Sequence, residues 1–374
     1  MKKKPSIPHA PKKKLSKWVK IPLGVLASIL VILLAYVIYL YAAYHRIPDN
    51  QELTVEAPKE QAQAASLTTG QTYSALTYNV GFGAYSPDFS FFMDGGKSSW
   101  AKSKENVQAN INGAGNFAAS KDPDFILFQE VDLNSTRSYH VNQYDILKGT
   151  FSDYYSVFAQ NYDSPFLFYP LTQPHGKSQS GITLFSRYPV SSSLRRSFPI
   201  ATTFKKFFDL DRCYSISRVP VDNDKELVVF NLHMSAYGND DQIRQGQIRM
   251  LCQDMEKEYQ AGNYVLCGGD FNHDLKASAD DTSEHHSWAY PFPREELPEH
   301  FTFGMDLLSQ QEKADLWNTS RNTDIPYDPD ASYTVTLDGF IFSDNITMDS
   351  YEDLNTGYSY SDHDPVYMEF SLNK

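Results

Sequence analysis

The sequence of 374 residues predicts an α/β protein, a four-layered α/β sandwich in which two packed mixed β-sheets are flanked by helices, preceded by one N-terminal transmembrane helix. Three observations predict this fold class. Short runs of β-branched and aromatic residues alternate with helical patterns along residues 72–374, which is typical of two sheets covered by helices. A hydrophobic fraction of 41% and a charged fraction of 21% suit a globular chain with a sizeable core. Residues 21–44 contain no charged side chain.

The N-terminal region is predicted to anchor the chain in a membrane. Residues 1–20 hold eight lysines and no acidic residue, and the uncharged segment 21–44 follows them. About 20 apolar residues suffice to cross a bilayer as a helix. Because positive flanks stay in the cytoplasm, we expect a single-pass plasma-membrane protein with a cytoplasmic basic segment and an extracellular body. A cleaved signal peptide is the alternative, but the small-x-small motif Ala62-Gln63-Ala64 lies far beyond the apolar run. The lysine flank argues against a buried core helix.

Residues 45–71 are polar and rich in Ala, Gln and Glu, which predicts a stalk ahead of a single domain at 72–374. The whole chain carries −13 and residues 1–20 carry +8, so the remainder carries −21. A body this acidic does not bind polyanions by bulk electrostatics, and any phosphate contact must come from local groups or a metal. The three cysteines include no Cys-x-x-Cys pair and are expected to be buried free thiols.

Seven segments of the body have the composition of strands. They are residues 73–79, 124–129, 181–186, 226–232, 263–268, 336–342 and 365–371. Two segments, 104–120 and 240–259, repeat apolar residues on one helical face. Asp240 or Asp241 is the expected N-cap of the second helix, and Gly262 its expected C-cap.

The stretch 276–332 is irregular, acidic and proline-bearing, which predicts a long surface excursion. It contains His285 and His286, which we expect to be solvated loop residues rather than metal ligands.

Five apolar runs end in polar residues. Those residues are Asn79, Glu130, His233, Asp270 with Asn272, and Asp362 with His363. One polar residue after a strand is usually a turn residue, but five such ends are hard to obtain from turn chemistry alone. Strand ends are also where sites assemble in layered α/β proteins, because the sheet holds the following residues in register. Oxygen-rich ligands without thiolates favour Mg²⁺ or Mn²⁺, and in some sites Ca²⁺, over Zn²⁺.

These segments together resemble the endonuclease/exonuclease/phosphatase superfamily, which has the deoxyribonuclease I-like fold, over about residues 73–372. The matching motifs are the Asn79 strand, Gln129-Glu130-Val131-Asp132, Gly181 with Ser186-Arg187-Tyr188-Pro189, Asn231-Leu232-His233, Gly269-Asp270-Phe271-Asn272, Leu337-Asp338-Gly339 and Ser361-Asp362-His363-Asp364-Pro365. The resemblance implies Mg²⁺-dependent hydrolysis of a phosphoester by direct attack of water on phosphorus.

Site roles follow from the resemblance position by position. Glu130 is implied as the metal ligand, supported by Asn79 and Asp362. His363 is implied as the general base or proton relay, with Asp338 orienting its imidazole.

The remaining implied roles concern the phosphate and the attacking water. Asp270 and Asn272 position both, and His233 donates to a non-bridging oxygen. Whether Asp270 or His363 takes the proton is left open at this point.

The substrate also stays open, because the superfamily includes nucleases, sphingomyelinases and inositol-phosphate phosphatases. We expect a phosphodiester, either nucleic acid or a phospholipid headgroup. A phosphomonoesterase and a catalytically inactive surface binding module are the alternatives, and no protein partner is predicted. The aromatic segments 89–93 and 164–170 either dip into lipid or pack inside the protein. Arg137 and Lys177 are expected to be solvated surface charges rather than phosphate contacts.

Overall fold

The structure is a computed structural model that describes residues 16–58, 66–207, 209–236, 241–277 and 288–374. The chain divides into two compact units, Met1–Tyr44 and His45–Lys374. Several features of the sequence lie outside the described residues. They are six of the eight lysines in the basic segment, the Ala62-Gln63-Ala64 motif, Asp240, His285 and His286.

The first unit contains helix α1 (Lys17–Ala43), which covers nearly all of the predicted span. Ser16 caps it, because its side chain accepts the backbone N–H of Trp18 at 3.4 Å. Its 27 residues extend about 40 Å at the usual helical rise. By length and composition α1 could cross a membrane, a property that it shares with signal sequences.

The second unit is built on two mixed seven-stranded sheets. The first sheet contains, in spatial order, β1 (Gln51–Glu52), β7 (Ser192–Ser197), β8 (Cys213–Pro220), β9 (Glu226–His233), β10 (Tyr264–Asp270), β14 (Asp338–Ser343) and β11 (Phe301–Phe303). The second contains β15 (Ile346–Asp353), β16 (Val366–Leu372), β3 (Thr72–Asn79), β4 (Phe125–Asp132), β6 (Gln179–Ser186), β5 (Tyr155–Asp163) and β2 (Val55–Glu56). A small ribbon pairs β12 (Ser320–Arg321) with β13 (Thr334–Val335). The helices of this unit are α2 (Lys104–Ser120), α3 (Gln143–Thr150), α4 (Asp241–Gln260) and α5 (Gln310–Asp315).

Three apolar clusters hold these layers together. One packs α2 and α3 on the second sheet, one fills the space between the sheets, and one packs α4 on the first sheet. Strand β4 shows why its sequence is continuously apolar: Ile126 and Phe128 face the helices, whereas Phe125 and Leu127 face the other sheet. The predicted four-layered sandwich is confirmed.

Strand directions bring several chain segments to one edge of the sandwich. Strands β3 and β4 are parallel and joined through α2, and β9 and β10 are parallel and joined through α4. Strand β14 is antiparallel to β10, and β16 is antiparallel to β3. The carboxyl ends of the four parallel strands therefore lie beside the amino ends of β14 and β16.

All seven predicted strands are present, with ends that differ from the prediction by three residues at most. Helix α2 has the predicted bounds, and Ser103 caps it by accepting the Asn106 N–H at 3.1 Å. Helix α4 ends at Gln260, and Gly262 follows with a φ of 84°, as its predicted capping role requires. The three cysteines are free and buried, also as predicted.

Part of the predicted stalk adds to the sheets. Within residues 45–58, β1 pairs with β7 and β2 pairs with β5, so each sheet gains a short edge strand. Ile47 N–H also donates to the buried Asp211 at 2.6 Å. Short polar strands lack the apolar alternation that marks a strand in a sequence, which is why the sequence predicts a linker here.

The prediction of a surface excursion at 276–332 is wrong for much of its described part. Phe292, Phe301, Phe303 and Met305 are buried against α4 and the first sheet. Short strands and single helical turns separate these aromatic residues, so no periodic pattern is long enough to reveal a core segment.

Gly269 allows β10 to approach β9 at the edge where the strand ends meet. Its φ is 143°, and a Cβ at this position would lie 2.1 Å from the carbonyl oxygen of Leu232. Any other residue must displace backbone, immediately before Asp270.

We expect Gly269→Ala to lower the free energy of unfolding by about 3 kcal/mol, because the clash is with backbone and the φ is unsuited to alanine. Denaturant titration of the full chain in mild detergent, followed by tryptophan fluorescence, measures the change. Gly149→Ala is the matched control, because Gly149 lies in α3 and a Cβ added there would meet no atom within 4 Å. This substitution should stabilise the protein by up to about 1 kcal/mol, since alanine favours a helix more than glycine does. Equal effects of the two substitutions would contradict the packing argument.

Candidate active site

Six of the eight predicted site residues line one pocket of about 330 Å³. They are Glu130, His233, Asp270, Asn272, Asp362 and His363. The other two, Asn79 and Asp338, are buried behind it and hydrogen-bond to residues that line it. Both sheets contribute, so the pocket lies where their strand ends converge.

A carboxylate–imidazole pair joins the two sheets at this pocket. Asp338 begins β14, His363 precedes β16, and Nδ1 of His363 lies 2.7 Å from Oδ2 of Asp338. Thr319 donates to the same oxygen at 2.8 Å. Burial lowers the pKa of His363, but the charges of Asp338 and Asp270 outweigh it and hold that pKa well above its usual value. The surrounding carboxylates therefore favour the protonated imidazolium form of His363.

Asp270 supplies a carboxylate that lies within 4 Å of both histidines. Its Oδ2 accepts from Asn79 Nδ2 at 3.0 Å, and its Oδ1 accepts the backbone N–H of Asn272 at 2.8 Å. The Nε2 atoms of His233 and His363 lie 3.5 and 3.8 Å from Oδ2. Burial raises the pKa of Asp270 to about 6, although the charge on His363 opposes the increase.

His233, at the end of β9, is buried and faces the pocket through Nε2, 3.9 Å from Oε1 of Glu130. Burial, reinforced by the nearby Arg212, lowers the pKa of His233 well below its usual value. Its Nδ1 has no hydrogen-bond partner among the residues described. At neutral pH His233 is therefore a neutral imidazole that can donate one hydrogen bond.

Glu130 and Asn272 are turned toward the pocket by unusual backbone conformations. Their φ angles are 55° and 50°, in the left-handed region. Glu130 lies at a bulge in β4, between Phe128 and Val131, where the pairing with β6 shifts register. Such conformations cost about 1 kcal/mol or more and are common at functional sites.

Glu130 and Asp362 supply carboxylates that suit a hard cation. Burial raises the pKa of Asp362 to about 6, and the charge of Glu130 adds to the increase. Burial also raises the pKa of Glu130. Gly81 has a φ of 50° and leaves room for this arrangement, because a Cβ there would lie 2.7 Å from Asp362 Oδ1. Two carboxylates of this kind are the oxygen ligands that hard divalent cations take in proteins.

Within the described ranges, one group of three acidic, His or Cys side chains has its ligand atoms within 4.8 Å of one another. Its members are Asp270, Asp338 and His363. Since Nδ1 of His363 is engaged by Asp338, we interpret this group as a proton relay rather than as a metal centre.

Two buried arginines that the sequence reasoning missed line the same pocket. The Nε and Nη1 atoms of Arg212 have no hydrogen-bond partner within the described part of the chain. Its ion pair with Asp209 is long, since Nε lies 4.0 Å from Oδ1. Arg321 donates to the carbonyl of Ser86 at 3.3 Å. Arg212 directly precedes β8, which is antiparallel to β9, so it lies at the same edge as His233. A search for polar residues before strands, as well as after them, would have found it.

Arg137 does not lie on the surface, and its predicted solvation is wrong. It is 5% exposed, its Nη2 lies 2.9 Å from Asp132, and its guanidinium stacks 3.9 Å above the Phe82 ring. The polar sequence around it resembles an exposed turn and contains no signal of burial. Lys177 is half-exposed and pairs with Asp163 at 3.3 Å.

The chain matches a family model described as the Endonuclease/Exonuclease/phosphatase family over residues 76–363. No curated protein sequence matches it.

Solved structures share the fold at low sequence identity. An endonuclease/exonuclease/phosphatase from Beutenbergia cavernae is 16% identical, with a TM-score of 0.53 over 81% of this chain and 72% of that one. D. rerio TDP2, solved with a single-strand DNA product, is 17% identical, with a TM-score of 0.52 over 81% of this chain and 100% of that one. The human Nocturnin catalytic domain, solved with a bound sulfate anion, is 18% identical, with a TM-score of 0.52 over 85% of this chain and 100% of that one.

We expect Asp338→Asn to lower the pKa of His363, because the largest favourable charge beside the imidazolium is removed. Proton–carbon NMR of histidine-labelled protein measures the titration. Asp344→Asn is the control, since Asp344 raises the pKa of the exposed His300 through a 2.9 Å contact and should affect that histidine alone. An unchanged His363 titration in Asp338→Asn would contradict the pairing.

Proposed function

The chain belongs to the endonuclease/exonuclease/phosphatase family, and we propose that it is a divalent-metal-dependent phosphoesterase that hydrolyses a phosphodiester by direct attack of water. The observation that carries this proposal is the convergence of Asp270, His233 and the Asp338–His363 pair on one pocket. An imidazolium, a neutral imidazole and an oriented carboxylate are the groups that water attack on phosphorus requires.

Glu130 and Asp362, with Asn79 beside them, would hold the cation. When bound, a divalent cation supplies charge neutralisation for the phosphoryl oxygens and for the leaving oxygen. A cation in this pocket would also offset the burial that raises the pKa values of both carboxylates, and the charge of Glu130 that adds to the increase at Asp362.

Asp270 is the residue we favour as proton acceptor. Hydrogen bonds from Asn79 and from the Asn272 backbone orient its carboxylate, and a pKa of about 6 leaves it ionised yet fairly basic at neutral pH. The carboxylates around His363 favour its protonated form, so it suits electrostatic stabilisation of the phosphate and the return of a proton to the leaving oxygen.

Two hydrogen-bond donors, one neutral and one positively charged, line the pocket in which the phosphate would bind. His233 can donate one hydrogen bond, and Arg212 lines the pocket with Nε and Nη1 groups that donate to no residue in the described part of the chain. Planar guanidinium groups bind phosphate oxygens with two parallel hydrogen bonds. These local donors can bind a phosphate despite the strongly acidic body.

We propose further that α1 anchors the protein in the plasma membrane, with the basic segment in the cytoplasm and the catalytic unit outside. The eight lysines of residues 1–20, which precede the uncharged segment 21–44, support this orientation. A reporter enzyme fused after Lys374 measures which side the catalytic unit occupies.

Full-length protein should hydrolyse bis-p-nitrophenyl phosphate with Mg²⁺ or Mn²⁺ and lose this activity when the metal is chelated. We expect His363→Ala and Glu130→Gln each to lower kcat/KM by about 10²–10⁴-fold, since each removes a group required in the transition state. His300→Ala, which changes an exposed Asp-paired histidine, is the control and should retain full activity. Activity that persists in His363→Ala would refute the assigned site.

Arg212→Lys should lower kcat/KM by about 10–100-fold and weaken competitive inhibition by inorganic phosphate, because a lysine cannot reproduce the two-point contact. Steady-state kinetics with phosphate as inhibitor make the measurement. Arg187→Lys is the matched control, since Arg187 pairs with Asp122 at the surface. If both substitutions leave phosphate inhibition unchanged, Arg212 does not contact the phosphate.

A further inference from the structure

An exposed apolar cluster lies on the loop between β5 and β6. Phe168, Tyr169 and Leu171 are 50%, 69% and 83% exposed, and Met93 on the neighbouring loop is 55% exposed. We name these four side chains the apolar tip. Residues 164–176 contain no Asp, Glu, Lys or Arg, so the exposed surface of this loop lacks formal charge. Adjacent apolar side chains at such exposure mark a contact surface.

Hydrogen bonds hold the apolar tip outward. Leu167 and Gly176 exchange two backbone hydrogen bonds of 3.0 Å, which close the loop as a hairpin. Within it, the His175 N–H donates to the Tyr169 carbonyl at 3.2 Å. The Tyr169 ring packs on Phe92, with ring centres 5.9 Å apart. These hydrogen bonds and the ring contact therefore hold the backbone that carries the exposed side chains.

The apolar tip adjoins the pocket that holds the site. Met93, Phe91 and His175 line that pocket. His175 is buried beside Phe91 and Phe92, with ring centres 6.0 and 5.8 Å apart. One packed set of rings thus connects the wall of the pocket to the exposed loop, and a surface that engages the apolar tip also faces the pocket.

Lipid fits this surface better than nucleic acid. Aromatic side chains can stack on bases, but Leu171 and Met93 cannot, and proteins that bind single strands place stacking residues within basic grooves. The chain outside residues 1–20 carries −21 and repels a polyanion. A mixture of Leu, Met, Phe and Tyr is the composition of surfaces that enter the boundary between headgroups and acyl chains. The same chain also carries α1, which could span a membrane.

We propose that the apolar tip inserts into the outer surface of a bilayer and that the substrate is the headgroup phosphodiester of a zwitterionic phospholipid. This inference rests on the proposed phosphoesterase activity. The oxygen of water bonds to phosphorus and one ester P–O bond breaks. Asp270 takes the proton of water, His363 gives a proton to the departing alkoxide, and the proton on Asp270 then restores that of His363. One product keeps the phosphate as a monoester and the other leaves as an alcohol, so no further reactant is needed. A neutral headgroup avoids the repulsion that an anionic lipid would meet.

Insertion is tested in full-length protein reconstituted into phosphatidylcholine vesicles. Leu171→Cys is labelled with a polarity-sensitive fluorophore, since the three native cysteines are buried. We expect blue-shifted emission and quenching by lipids that carry a nitroxide in the acyl chain. Leu307→Cys, at a position with 57% exposure in another segment, is the control and should report water. The same aqueous emission at both positions would overturn insertion.

The substrate assignment is tested with Leu171→Glu. We expect at least tenfold slower hydrolysis of phosphatidylcholine in vesicles, with unchanged hydrolysis of bis-p-nitrophenyl phosphate and of short-chain phosphatidylcholine monomers. Leu307→Glu should change none of the three rates. If the wild type hydrolyses bis-p-nitrophenyl phosphate while Leu171→Glu leaves the vesicle rate unchanged, the lipid inference fails and the phosphoesterase proposal stands. A selective loss of single-stranded DNA cleavage in Leu171→Glu would also overturn it, and failure on every phosphoester would reject both proposals.

Discussion

The hydrogen bond between His363 and Asp338 depends on how the two sheets pack, and the site depends on that bond. One partner precedes a strand of the second sheet and the other begins a strand of the first. A second polar connection lies deeper, where Gln129 donates to Asn231 across the same interface at 2.9 Å. Burying a polar group is unfavourable unless it forms hydrogen bonds. The two sheets can therefore pack favourably only in the few relative positions that preserve these bonds. Those positions bring the strand ends together.

This packing also determines the electrostatics of the pocket. Desolvation opposes charge on His233, His363 and Asp270, yet the outcome differs among the three. His363 keeps its proton because carboxylates surround it, whereas His233 loses its proton beside a guanidinium. Asp270 lies between them with a pKa of about 6. Neighbours of opposite sign thus give two histidines in one pocket different protonation states, which allows them to perform different tasks.

The elements that could be predicted from the sequence are those with long apolar patterns. Buried strands and the amphipathic α2 were found, and the site residues at the carboxyl ends of β3, β4, β9 and β10 were found with them. Arg212 was missed because it precedes its strand, and Arg137 because burial among polar neighbours leaves no periodic signal. The edge strands at 45–58 and the buried aromatic residues of 288–332 were missed because their elements are too short to show a period. Non-local packing, rather than local preference, determines the structure of those regions.

The position of β16 has a consequence for biosynthesis. It is the last of the sixteen described strands, yet it inserts between β15 and β3, the strand that ends at Asn79. His363 and Asp362 directly precede it, so they reach their neighbours only after the rest of the domain has been translated. A nascent chain on the ribosome therefore lacks a complete site. Synthesis order alone would therefore delay any activity of the site until β16 has left the ribosome and joined its sheet.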